Sequence, residues 1–247
     1  GKSKADADLL SAAATGIMAA AREARDNGAS LSKTISPGTS TALHVAASFG
    51  RVKTDPCKPS KASTLMCKFL LDEGASVNAM RSGDKLTPLC MAAQAGHKNI
   101  VQLLLQRGAD RNQPTHRGLT PLWYAARNGH VQVAEMLLQG SCTDACDAHC
   151  TRRHAGCRVD RANVDGISPL WIAAASGHAE MVHTLLVHHA SIDHTDKSGA
   201  TPLWIACKRG HEAVAQLLAR GAGAVHRVDL GTPSKLSDRY PRANADR

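Results

Sequence analysis

The sequence predicts an all-α repeat solenoid, a stack of helix-turn-helix units joined by β-hairpin loops, and three observations carry that prediction. A Thr-Pro-Leu or Ser-Pro-Leu triplet starts at Thr87, Thr120, Ser168 and Thr201, at intervals of 33, 48 and 33 residues, and a 15-residue insertion accounts for the long interval. Each triplet heads one grammar: a residue, an apolar residue and two small ones, then Gly-His, then an apolar stretch ending Leu-Leu. The 247 residues are 43% hydrophobic yet include only 3 Trp, 2 Tyr and 2 Phe, too few for one compact core and suited to packing through small side chains.

Within a unit the elements follow from local chemistry. Thr or Ser before Pro is an N-cap with proline at the first helical position, where its missing N–H costs nothing. The first helix therefore starts at each triplet. Ala92-Ala93, Ala125-Ala126 and Ala173-Ala174 put small side chains where neighbouring helices must come close, and Gly96, Gly129, Gly177 and Gly210 end that helix. His97, His130, His178 and His211 open the second helix, where a ring at a helix start is expected to bond backbone groups of the adjoining turn. Ile100, Val101, Leu104 and Leu105 fall on one face of that helix. A single unit cannot hide such a face, so stability must come from neighbours.

This grammar resembles the ankyrin repeat family, and the resemblance implies six repeats and part of a seventh. Residues 7–32 are read as an N-terminal capping repeat, because Leu9, Ala12-Ala13, Gly16 and Gly28-Ala29 keep the offsets. Residues 38–78 are a repeat starting Thr41-Ala42-Leu43 and carrying an inserted loop at 51–64. Then come repeats at 79–112, at 113–160 with a Cys- and His-rich insertion at 139–155, at 161–193 and at 194–225. Residues 226–247 are expected to be a partial repeat or frayed tail, since the pattern restarts at Gly231-Thr232-Pro233 and then fails. Trp123, Trp171 and Trp204 stand where the family usually has His after the triplet, with His44 and Cys90 there in the second and third repeats. The hydrogen bond made by the family's His is thereby put in question for the Trp repeats.

The resemblance also implies a function. Such arrays hold a partner protein on the concave face built from hairpin tips and first helices, with no cofactor and no catalysis. Carried over position by position, the partner-binding candidates in the hairpins are His116, Arg117 and Leu119, then Val164, Asp165 and Ile167, then Lys197 and Ser198. Those on first helices are Phe49, Gln94, Arg127, Asn128, Ser176, Lys208 and Arg209. Their bias is basic, interrupted by Asp165, which points to an acidic segment with an apolar anchor as ligand. The expected roles are adaptor, scaffold or regulatory segment of a larger protein. The alternative is a regulatory array fused to a catalytic domain, such as a kinase or ubiquitin ligase, outside these residues.

Other functional classes find little support. Thirty Lys plus Arg against 21 Asp plus Glu give +9, which favours anionic partners. Aromatics are not interleaved with the basic residues and no zinc-finger or helix-turn-helix grammar appears, so nucleic acid is not the expected partner. No nucleophile elbow, P-loop, H-E-x-x-H or dinucleotide motif occurs, so neither catalysis nor a small-molecule substrate is expected. Among the 8 Cys, Cys142, Cys146 and Cys150 are spaced four apart in the second insertion, with His149, His154 and Cys157 nearby. That set could be a structural metal site, redox-sensitive thiols or a polar, reduced insertion. The absence of any C-x-x-C pair favours the last, and no metal is expected. No apolar run is long enough to span a bilayer, and Gly1 in place of an initiator Met reads as the edge of an excised segment or a tag remnant. Reduced thiols suggest a cytoplasmic or nuclear setting.

Overall fold

The computed structural model describes residues 2–32, 40–48, 61–139 and 157–225. Among them the chain forms six successive helix pairs and no strand. In order these are α1 (Lys2–Thr15) with α2 (Met18–Asp26), α3 (Ala42–Ser48) with α4 (Lys61–Asp72), and α5 (Pro88–Ala95) with α6 (Lys98–Gln106). Then follow α7 (Pro121–Asn128) with α8 (Val131–Leu138), α9 (Pro169–Ala175) with α10 (Ala179–Val187), and α11 (Pro202–Arg209) with α12 (Glu212–Val225). The chain divides into two compact units, residues 1–121 and 122–247. In the first unit α1 packs on α2 and α3, α3 on α4 and α5, and α6 on α4 and α5. In the second, α9 packs on α10 and α11, α12 on α10 and α11, and α10 on α8. This is the predicted all-α repeat solenoid.

The caps form as the triplets require. The hydroxyl of Thr87 accepts from Cys90 N–H at 3.3 Å, that of Ser168 from Trp171 N–H at 3.2 Å and that of Thr201 from Trp204 N–H at 3.1 Å, each with Pro in the first turn. The alanine pairs Ala46-Ala47, Ala92-Ala93, Ala125-Ala126 and Ala173-Ala174 are fully buried. Second helices bury Ile100, Val101 and Leu104, then Val133, Ala134, Leu137 and Leu138, then Met181, Val182 and Leu185. Leu105, assigned to the same face by its spacing, is only half-buried, because a step of five residues has turned past the stripe's centre.

Several boundaries differ from the sequence reading. Helix α1 begins at Lys2 rather than near residue 7, and Asp6 joins its inner face, accepting from Ser30 N–H at 2.8 Å. Residues 61–64, expected within the first inserted loop, are the first turn of α4. Helix α12 runs through Gly221 to Val225, and Gly221 leaves space that the Ile192 Cδ1 atom uses, 3.0 Å from where a Cβ would stand. The expected tail at 226–247 and most of both insertions lie outside the described residues.

The hairpins, expected as β-hairpins, are turns rather than strand ladders. Thr115 N–H donates to Leu119 O at 2.9 Å, Asn163 N–H to Ile167 O at 3.1 Å and Asp196 N–H to Ala200 O at 3.1 Å. Adjacent tips are tied by one bond each, His116 N–H to Asp84 O at 2.8 Å and Lys197 N–H to Asp165 O at 3.0 Å. The second tie needs Gly166, at φ +80°, because a Cβ there would stand 2.9 Å from Lys197 N. Gly199 holds the same place in the next hairpin at φ +82° with open space around it. Lys85 fills that place in the third repeat at φ +57°.

Gly166→Ala should therefore cost both the left-handed backbone penalty of about 1–2 kcal/mol and an overpacking penalty of about 1–3 kcal/mol, whereas Gly199→Ala should show the first alone. Urea melts of the two variants check this, and equal losses would contradict the close tie. Leu138→Ala, at a fully buried second-helix position, should cost about 2–5 kcal/mol.

Candidate functional site

The face built from hairpins and first helices is positioned by polar side chains that the triplet pattern does not reveal. Asn163 Oδ1 accepts from the N–H groups of Asp165 and Ile167, both at 2.9 Å. Asp196 Oδ1 accepts from Ser198 N–H and Ala200 N–H, both at 2.9 Å, and from the Ser198 hydroxyl at 2.6 Å. Thr115 Oγ1 accepts from Leu119 N–H at 3.1 Å. All three sit five residues before a Thr or Ser cap, a recurrence that was readable in the sequence. Partial burial pushes the Asp196 carboxyl up, but its donors outweigh that and hold it below the usual carboxylate range. Asp84 is held low chiefly by the Arg81 guanidinium beside it.

His97, His178 and His211 bond across repeats. No side chain of His97, His130 or His178 caps its own helix. Instead His178 Nε2 lies 3.1 Å from Arg127 O, His211 Nε2 lies 3.1 Å from Ala175 O, and His97 Nε2 lies 3.4 Å from Ser48 O. A carbonyl only accepts, so Nε2 carries the proton. The ring thus supplies a donor to the unsatisfied carbonyl end of the preceding first helix. Room for it comes from the glycine that ends that helix, since a Cβ on Gly129 or Gly177 would stand 2.8 Å or 2.7 Å from the Nδ1 atom of the following His.

The tryptophan departure is resolved in the same terms. His44 Nε2 donates to Leu86 O at 2.9 Å, across to the next repeat, while Nδ1 accepts from the Thr41 hydroxyl at 2.8 Å. Trp171 Nε1–H donates to Ala200 O at 3.0 Å, and Ala200 precedes its triplet as Leu86 precedes its own. One indole donor does the work of the imidazole, so the questioned bond is present in that repeat. Cys90 takes this position in the third repeat, and burial pushes its thiol up to about 11. The buried Cys67 is pushed up to about 12 for the same reason.

Within the first unit, Gln94, His116 and Arg117 are exposed and Leu119 is half-buried. Within the second, Arg127, Asn128, Val164, Lys197, Ser198, Lys208 and Arg209 are exposed, and Asp165, Ile167 and Ser176 are half-buried. Three of the cations are held in place. Arg127 lies over the Trp123 ring at 5.7 Å from its centroid and Lys208 over the Trp204 ring at 4.6 Å. Arg209 Nη1 donates to Ala175 O at 2.8 Å, a structural bond the sequence reading missed. Phe49, Cys142, Cys146, His149, Cys150 and His154 lie outside the described residues. Cys157 is buried, and the described residues contain no cluster able to hold a metal ion. No described helix is long and apolar enough to cross a membrane.

The family model described as ankyrin repeats (3 copies) matches residues 60–151 and 142–228. The chain belongs to the ankyrin repeat family. Residues of this ankyrin chain are also 39% identical over 69 positions to the human (Homo sapiens) transient receptor potential cation channel subfamily A member 1, a match covering 27% of this chain and 5% of the channel's length. Ankyrin repeats are in general protein-interaction modules.

A pH dependence follows from His44. Burial lowers its pKa below the ordinary 6.5, so the unfolded chain takes up a proton before the folded one does. Its stabilising contribution is complete above about pH 6.5 and is lost as pH falls below that value. His44→Gln should lose about 1–3 kcal/mol at pH 7.5 and show a shallower fall in stability toward pH 5 than wild type. Denaturant titrations at several pH values measure both, and parallel curves would contradict the buried neutral ring.

Proposed function

We propose that this chain holds a partner protein on its hairpin and first-helix face, as an adaptor, a scaffold or a regulatory segment of a larger protein. The observation that carries this is the set of cations already fixed on that face. Arg127 and Lys208 lie over Trp rings and Arg209 on a backbone carbonyl, and all three still reach solvent. A side chain held before binding loses less freedom on binding, so such cations suit recognition better than freely moving ones. The ligand that complements them is an acidic protein segment, and the exposed hairpin residue Val164 offers contact to an apolar anchor. Family membership supports the general role.

A second reading, a regulatory array joined to a catalytic domain such as a kinase or ubiquitin ligase, draws support from the channel match. There the similar stretch is 5% of a far longer chain. A native product much larger than 26.0 kDa on denaturing gels favours that reading, and one of the same size removes it.

Binding of a fluorescent acidic peptide containing leucine, followed by anisotropy, tests the principal reading. The double variant Arg127→Glu, Lys208→Glu should weaken it by about tenfold or more, while stability shifts by about 1 kcal/mol or less. Unchanged binding would place the ligand elsewhere.

A further inference from the structure

The three fixed cations of the second unit come from two repeats, Arg127 from α7 and both Lys208 and Arg209 from α11, and one lies at each of three successive first-helix ends. Arg127 is at the end of α7, Arg209 reaches back to the last carbonyl of α9, and Lys208 is at the end of α11. Arg127 and Lys208 hold the same repeat position, each four residues after its Trp, and the place between them is filled by the buried Ala175. Arg209, from the following repeat, puts a positive charge beside that alanine. The result is one anchored cation at each of these helix ends.

The step between repeats is uniform here. His178 sits on Arg127 O and His211 on Ala175 O, both at 3.1 Å, so the same contact relates each first-helix end to the next. Neighbouring packed helices stand about 8–10 Å apart, which sets the step from one first-helix end, with its cation, to the next. A polyproline II segment advances about 3.1 Å per residue with 3 residues per turn, so side chains three apart share a face at about 9 Å. A strand cannot match this, because its side chains three apart point to opposite faces. A helix offers about 5.4 Å per turn or about 10.5 Å every seven residues, so the step of about 9 Å is met most closely by polyproline II.

We infer that the second unit selects an extended acidic segment in polyproline II form, with a carboxylate at every third residue, each meeting one anchored cation. This inference rests on the acidic-segment reading above and adds to it the ligand's conformation and spacing. It also favours proline and apolar residues between the acidic ones. Proline holds the extended form before binding, and the apolar side chains face away from the cation row.

The test uses the full chain and two fluorescent peptides of identical composition, three Glu with Pro and Leu. One carries Glu at every third residue and the other carries the three Glu adjacent. At low ionic strength the spaced peptide should bind about five- to tenfold tighter. Arg127→Gln or Lys208→Gln should reduce that preference to about twofold or less, with melting temperatures confirming that each variant is folded. Equal affinity for the two peptides, or tighter binding of the clustered one, overturns the spacing even if charge reversal still abolishes binding. Failure of both peptides to bind overturns the spacing and the acidic-segment reading together.

Discussion

The end of each first helix must be shared between two repeats, and most of the structure follows from that constraint. The last carbonyls of a helix have no partner of their own. Here the donor comes from the next repeat, through the His178 ring on Arg127 O and the His211 ring on Ala175 O. The contact requires close approach, hence the alanine pairs, and an absent side chain, hence Gly129 and Gly177. A repeat that satisfies its neighbour's polar groups while covering its neighbour's apolar stripe is stable only in company. That is why the pattern repeats so strictly at these positions and so loosely elsewhere.

The same constraint shapes the exposed face. Hairpins held by Asn163 and Asp196 and tied by a single backbone bond present their tips in order. First-helix ends brought into register by the histidines carry Arg127, Arg209 and Lys208 as a row rather than as scattered charges. Each is restrained by a contact that is itself part of the repeat: a Trp ring or a helix-end carbonyl. The surface proposed to recognise a partner is thus built from the groups that hold the repeats together.

Much of this was legible in the sequence. Triplet, alanine pair, Gly-His and Leu-Leu located α5 to α12, because each marks a backbone or packing requirement that few residues meet. The start of α1 at Lys2 and of α4 at Lys61 was not legible, since α1 has no Thr-Pro cap and α4 no Gly-His to announce it. The histidines were seen but given the wrong partner, because sequence spacing shows only neighbours along the chain, and their carbonyls lie 36 to 51 residues away. Arg209 stands in the sequence only as a partner-binding candidate, for the same reason. Trp171 was read as a departure from the family, yet its indole N–H restores the bond that the imidazole makes elsewhere. The basic face was visible as composition along the hairpins, but its restraint by Trp123 and Trp204 was visible only in three dimensions.

Hydrogen-deuterium exchange of the full chain, with and without a saturating acidic peptide, tests the central claim most directly. The account predicts added protection in the hairpins at 163–168 and 196–201 and at the ends of α7, α9 and α11. Protection concentrated instead on the second helices α8, α10 and α12 would contradict it.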